Sequence, residues 1–136
     1  MNKRFVVDAN IVISVLLMPN SVSAHAFEHA LRSGKILQSV ATIDESYRVI
    51  GRKKFDKYLT EKERTDFIRE FLGQTELVDV THVVTVCRDP KDNKFLKLAL
   101  SGNATLIISG DHDLLVLHPF QTIPIITATA FLADTP

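Results

Sequence analysis

Hydrophobic and polar positions along this chain alternate between two periods. Short apolar runs, bounded by polar or turn-forming residues, read as buried strands: Phe5-Val6-Val7, Ile36-Leu37 with Val40-Ala41, Leu106-Ile107-Ile108, and Ile123-Pro124-Ile125-Ile126. Between them lie stripes at helical spacing, Ala26-Phe27-Ala30-Leu31 and Phe95-Leu96-Ala99-Leu100. The pattern predicts strands over 4–8, 35–41, 105–109 and 123–126, with an edge strand over 77–80. It predicts helices over 11–17, 23–33, 42–51, 60–73 and 92–101, and a last helical turn capped by Thr127 or Thr129. Asp8 or Asn10 is a suitable cap for the first helix. Thr42 with Glu45, and Thr60 with Glu63, have capping-box spacing, and Gly34, Gly51 and Gly102 stand where helices end. Strands alternating with helices imply an α/β fold with a mostly parallel sheet.

Composition bounds this picture without changing it. The 136 residues suit one domain, 1–136, with no linker, repeat or low-complexity segment. No run of eighteen apolar residues suggests a membrane span, no signal-peptide pattern opens the chain, and a lone cysteine, Cys87, suits a reducing compartment. Cytoplasm is the expected location. Sixteen basic residues balance sixteen acidic ones, which argues against a dedicated high-affinity nucleic-acid binder. The balance still allows an enzyme that grips a short stretch of phosphodiester.

The candidate chemistry lies in the acidic residues. Asp8 follows the first strand, Asp111 and Asp113 follow the strand at 105–109, Glu45 sits on the third helix, and Asp92 opens the helix at 92–101. Each has a structural explanation of its own. Asp8 can cap a helix, Glu45 can complete a capping box with Thr42, and Asp113 can cap the segment from Leu114. Asp89, before Pro90, reads as a turn residue. Taken together the acids are harder to dismiss. In an open parallel sheet ligands bind outside the carboxyl ends of the strands, and carboxylates gathered there repel one another unless a cation lies between them. The expected cation is hard and divalent.

These residues resemble a known family. Val6-Val7-Asp8-Ala9-Asn10 is similar to the opening motif of PIN domains, with Ala9 where the family more often has Thr. Thr42 to Phe55 resembles the second motif, Cys87 to Leu96 the third, and Leu106-Ile107-Ile108-Ser109-Gly110-Asp111-His112-Asp113-Leu114 the fourth. The likeness covers nearly the whole chain and is nearest to the toxin components of prokaryotic toxin–antitoxin pairs, VapC-like ribonucleases. It implies a three-layer α/β/α sandwich and a metal-dependent endoribonuclease. In that reading Mg²⁺ or Mn²⁺ is held by Asp8, Glu45, Asp92 and Asp111, with Asp113 assisting and Asn10 and Ser109 orienting the carboxylates. One ion, or a pair about 4 Å apart, would acidify the attacking water and offset charge on the leaving oxygen. The resemblance further implies an RNA substrate and an antitoxin partner, and admits a homodimer or higher homo-oligomer; no membrane is implied.

Arg48, Arg52, Lys53, Lys54 and Lys57 form the one basic cluster in the sequence. It reads as a solvated helix end or, near Glu45, as a contact for RNA phosphates. His25 and His29 stand at i, i+4 but lack a further ligand nearby, so they read as surface or packing residues. Cys87 reads as a small buried residue, and the phenylalanines as core. Two other functions compete. A phosphoacceptor signalling domain would want an acidic pair after the first strand and a Lys after the last, and neither is present. A catalytically silent PIN-like interaction module would not need so full a set of acids.

Overall fold

The computed structural model describes residues 3–134. Five strands, β1 (Lys3–Val7), β2 (Gly34–Gln38), β3 (Thr75–Leu77), β4 (Leu106–Ile108) and β5 (Ile125–Ile126), form one sheet in the order β3-β2-β1-β4-β5. Every pairing is parallel. Among the described residues, seven α-helices connect or flank the strands: α1 (Ala9–Leu17), α2 (Val22–Ser33), α3 (Val40–Ile50), α4 (Glu61–Gln74), α5 (Asn93–Ser101), α6 (His112–Leu115) and α7 (Ala128–Ala133).

Alternation along the strands divides the core between the two faces of the sheet. Phe5, Val7, Ile36 and Ile108 pack with Ile11 and Val12 of α1, Ala26, Phe27 and Ala30 of α2, Phe71 of α4 and Phe131 of α7. Val6, Leu37, Ile107 and Ile125 turn the other way, onto Phe95, Leu96, Leu98 and Ala99 of α5 and Leu114 of α6. Helices therefore cover both faces, as a three-layer α/β/α sandwich requires. A smaller cluster, Ala9, Ile13, Val49 and Ile50, joins α1 to α3.

Several element bounds differ from those the sequence pattern predicts. β2 stops at Gln38 rather than Ala41, because Ser39 begins the next helix. The capping box there is Ser39 with Thr42: Thr42 N–H donates to Ser39 Oγ, and Ser39 N–H donates to Thr42 Oγ1. The Thr42 hydroxyl also donates to Gln38 Oε1 at 2.8 Å. Thr42 is thus the third residue of α3 rather than its cap, and Glu45 lies inside the helix with its carboxylate free for other partners. The edge strand β3 falls at Thr75–Leu77, two residues before its predicted start, because it pairs in register with Ile36, Leu37 and Gln38. Gly34 has extended backbone and opens β2 opposite Lys3; a Cβ there would collide with the Lys3 carbonyl. Ser21, Thr60 with Glu63, and Thr127 cap α2, α4 and α7.

The strand order places the site. From β1 the chain moves outward through β2 to β3, then returns to the other side of β1 as β4. The order reverses between β1 and β4, and a crevice opens at their carboxyl ends, where open α/β sheets bind ligands. Asp8 follows β1 and Ser109 follows β4, so both enter that crevice.

Candidate metal centre

Asp8 is 5% exposed and caps α1, accepting from Ile11 N–H through Oδ1 at 2.9 Å. Its Oδ2 accepts from Ser109 Oγ at 2.5 Å and from Gly110 N–H at 3.3 Å. The Ser109 hydroxyl in turn accepts from Asp111 N–H at 2.9 Å. These bonds stitch the end of β1 to the end of β4 and fix the first carboxylate. Burial raises the Asp8 pKa against the lowering effect of its three hydrogen bonds.

Asp92 reaches the crevice from the opposite bank. A short 3₁₀ turn, Pro90–Asp92, is capped by Asp89, whose side chain accepts from Lys91 N–H at 3.0 Å. Asp92 then stands at the mouth of α5 without donating or accepting a side-chain cap bond. It is 8% exposed, and its buried Oδ2 has no hydrogen-bond partner. Among the described residues that is the one buried side-chain oxygen or nitrogen left unsatisfied. Burial and the adjoining Asp111 carboxyl push its pKa up to about 7, with smaller contributions from Asp89 and Glu45. An acid in this state asks for a proton or a cation.

Asp111 caps α6 by accepting from Asp113 N–H at 2.9 Å, a role the sequence pattern allowed for Asp113 instead. Oxygens of Asp92, Asp111 and Asp113 lie within 4.8 Å of one another. Asp113 is held by the Arg88 guanidinium, whose Nε and Nη2 both donate to Oδ1, at 2.9 and 2.6 Å. Glu45 faces the same cleft from α3 and is paired with Lys94 Nζ at 2.6 Å. The cleft has a volume of about 210 Å³, and Asp8, Glu45, Asp89, Asp92 and Asp111 all line it.

The structure therefore brings the five expected acids into one neighbourhood but in three states. Asp92, Asp111 and Asp113 form the compact group, Asp8 stands beside it in a hydrogen-bonded socket, and Glu45 is on the far wall with a cation of its own. Ser109 donates its hydroxyl to the Asp8 carboxylate. Asn10 lines the cleft but is exposed, and its contact with Ser14 runs through its backbone carbonyl. The basic cluster divides: Arg48 and Arg52 line the cleft, whereas Lys53 and Lys54 lie on a short 3₁₀ turn outside its lining. Lys94, Lys91 and Arg88 are the residues the sequence did not flag. Their partners are 49, 2 and 25 positions away, and only the Lys91 pair is close enough in the chain to be read as local.

The compact group fits a hard divalent ion: three carboxylates offer oxygens to one point, and one is buried without a partner. Cys87 behaves as expected of a small buried residue, and its thiol is pushed up to about 11 by burial and by the same acids. At neutral pH that thiol stays protonated.

The PIN domain family model matches residues 4–113, most of the chain and every acid described above. The chain belongs to the PIN domain family. An uncharacterized protein of Methanocaldococcus jannaschii is 29% identical over 120 residues, covering 85% of this chain and 75% of that protein. Among solved structures, VapBC2 from Rickettsia felis, crystallised with a DNA fragment from its promoter, superimposes with a TM-score of 0.62. The match covers 91% of this PIN domain and 98% of that chain at 10% identity. A Pyrobaculum aerophilum protein, PAE2754, gives a TM-score of 0.61 at 14% identity, covering 96% and 88% of the two chains. At such identities the likeness is one of fold.

Proposed function

We propose that this PIN domain is a divalent-metal-dependent endoribonuclease and the toxin component of a toxin–antitoxin pair. The observation that carries the metal is the unpartnered, buried Asp92 Oδ2 within a group of three converging carboxylates. Family membership supports phosphodiester hydrolysis, and the fold shared with a VapBC protein supports an antitoxin partner. The whole described chain serves as a single PIN domain in this reading. Among its described residues no single helix is long and apolar enough to cross a membrane.

Asp92 and Asp111 would hold Mg²⁺ or Mn²⁺, with Asp113 joining when Arg88 lets go and Asp8 adjoining from its socket. When bound, the ion acidifies water at neutral pH and offsets charge on the leaving oxygen. The remaining work belongs to the protein. The Ser109 hydroxyl and the Ile11 and Gly110 amides hold Asp8 in place, so that this carboxylate needs little rearrangement beside an ion. Arg48 and Arg52 stand on the cleft wall where a phosphodiester can be held against them. No side-chain nucleophile is required.

RNA cleavage by the purified chain tests the proposal, with Mg²⁺ or Mn²⁺ supplied, with a chelator, and with Asp8→Asn. Cleavage that needs the ion and fails in the variant supports it; cleavage that survives both controls overturns it. Metal binding with no cleavage of any RNA would favour the silent interaction module.

A further inference from the structure

Six carboxylates stand in or beside the cleft, and their charge is not evenly offset. Glu45 has Lys94 at 2.6 Å, Asp113 has Arg88 at 2.6 Å and Asp89 has Lys91 at 3.8 Å. Asp8, Asp92 and Asp111 have no cationic side chain against them among the described residues. The three pairs also differ in permanence. Arg88 and Lys91 have side chains 79% and 75% exposed, so water and salt compete for them. Lys94 and Glu45 are 15% and 19% exposed, and a pair so enclosed is screened far less.

We propose that Lys94 is a built-in counter-ion that keeps Glu45 out of metal coordination, so that this site takes a single divalent ion. The inference rests on the metal-nuclease reading and refines it. Lys94 lies on the first turn of α5, two residues after Asp92, and Glu45 lies on α3; the pair ties together the two helices that wall the cleft. For Glu45 to ligate an ion, the Lys94 ammonium would have to give up its partner in an enclosed setting, which is unfavourable for both charges. Of the acids that remain, Asp92, Asp111 and Asp113 have oxygens within 4.8 Å of one another, close enough to share one ion, and Asp8 lines the cleft beside them. One divalent ion there offsets most of the charge left uncompensated, and the ammonium stands where a second ion would otherwise be drawn in by Glu45.

Titration of Mn²⁺ into the full chain, followed by calorimetry and by electron paramagnetic resonance of the free ion, reads the stoichiometry directly. The wild-type chain should take one ion. Lys94→Met, which frees Glu45, should take a second and weaker one, and Lys94→Met with Glu45→Gln should return to one. Glu45→Gln alone should leave the affinity within a few-fold of wild type. Two ions on the wild-type chain, or one on Lys94→Met, would overturn the inference. So would a loss of about ten- to hundredfold in affinity on Glu45→Gln, the size expected of a group that supports a metal. If Lys94→Met fails to fold, Lys94→Gln, which keeps a donor for Glu45 but no charge, carries the same expectation. Failure of wild type to bind Mn²⁺ at all would overturn the metal reading itself, a result distinct from the wrong stoichiometry.

Discussion

The two banks of the cleft hold their acids in different ways. On the strand bank, Asp8, Ser109 and Asp111 are fixed by hydrogen bonds to backbone amides and to one another, a network reaching from β1 to β4. On the helix bank, Glu45 leans on Lys94, and Asp92 has a buried oxygen without a hydrogen-bond partner. A carboxylate satisfied by fixed dipoles is a finished piece of structure, whereas one left unsatisfied is a standing cost to the fold. Retaining that cost makes sense where a ligand removes it. The strand bank thus supplies geometry, and the helix bank supplies the demand for a cation.

The difference is broken most sharply by Asp92→Asn. Activity should fall by about 10²–10³-fold, the scale of losing one electrostatic contact in a catalytic site. The metal-free variant should nevertheless melt at or above wild type at pH 8, because an amide beside Asp111 replaces a buried carboxylate. A lower melting temperature would mean that Asp92 is structural after all. Ser109→Ala works on the other bank and should do the reverse. Removing the hydroxyl leaves Asp8 Oδ2 under-satisfied in a buried setting and should cost about 1–3 kcal/mol in urea unfolding.

The pH dependence separates the banks again. The Asp92 pKa is raised to about 7 from 3.8, so the folded form holds its proton more tightly than the unfolded chain. That contribution to stability is fully present below about pH 3.8 and is lost as the pH rises through 7. The metal-free protein should therefore lose melting temperature from pH 6 to pH 8, with Mn²⁺ affinity rising over the same interval as the ion displaces the proton. In Asp92→Asn both trends should flatten. A smaller effect distinguishes the basic residues. Arg48→Ala and Arg52→Ala should raise KM for RNA a few-fold and reduce its salt dependence, while Lys53→Ala and Lys54→Ala should leave both unchanged.

The strand bank was legible in the sequence, and the helix bank only in part. Phe5-Val6-Val7 before Asp8 and Leu106-Ile107-Ile108 before Ser109 are short apolar runs followed by polar residues, and a parallel sheet turns that pattern into neighbouring strand ends. The cap on α1 also follows from local chemistry, because Asp8 bonds Ile11 three residues on. The start of α3 did not follow. Ser39, Thr42 and Glu45 offer two overlapping boxes, and the choice is made by Gln38, which is buried and needs the Thr42 hydroxyl as a donor. That choice gives Glu45 to Lys94, a partner 49 residues away. Nor does local spacing reveal that Asp113, given only an assisting role by the family resemblance, falls within 4.8 Å of Asp92. Ion pairs and orphaned atoms are products of tertiary packing, and they were the features that sorted the acids into roles.

In the proposed function a divalent ion meets the demand created on the helix bank. Anomalous scattering from crystals soaked in Mn²⁺ tests it most directly. One strong peak per chain is expected, in contact with Asp92 and Asp111, with Lys94 still against Glu45. No peak in the cleft, or a peak held by Glu45 and away from Asp92, would contradict it.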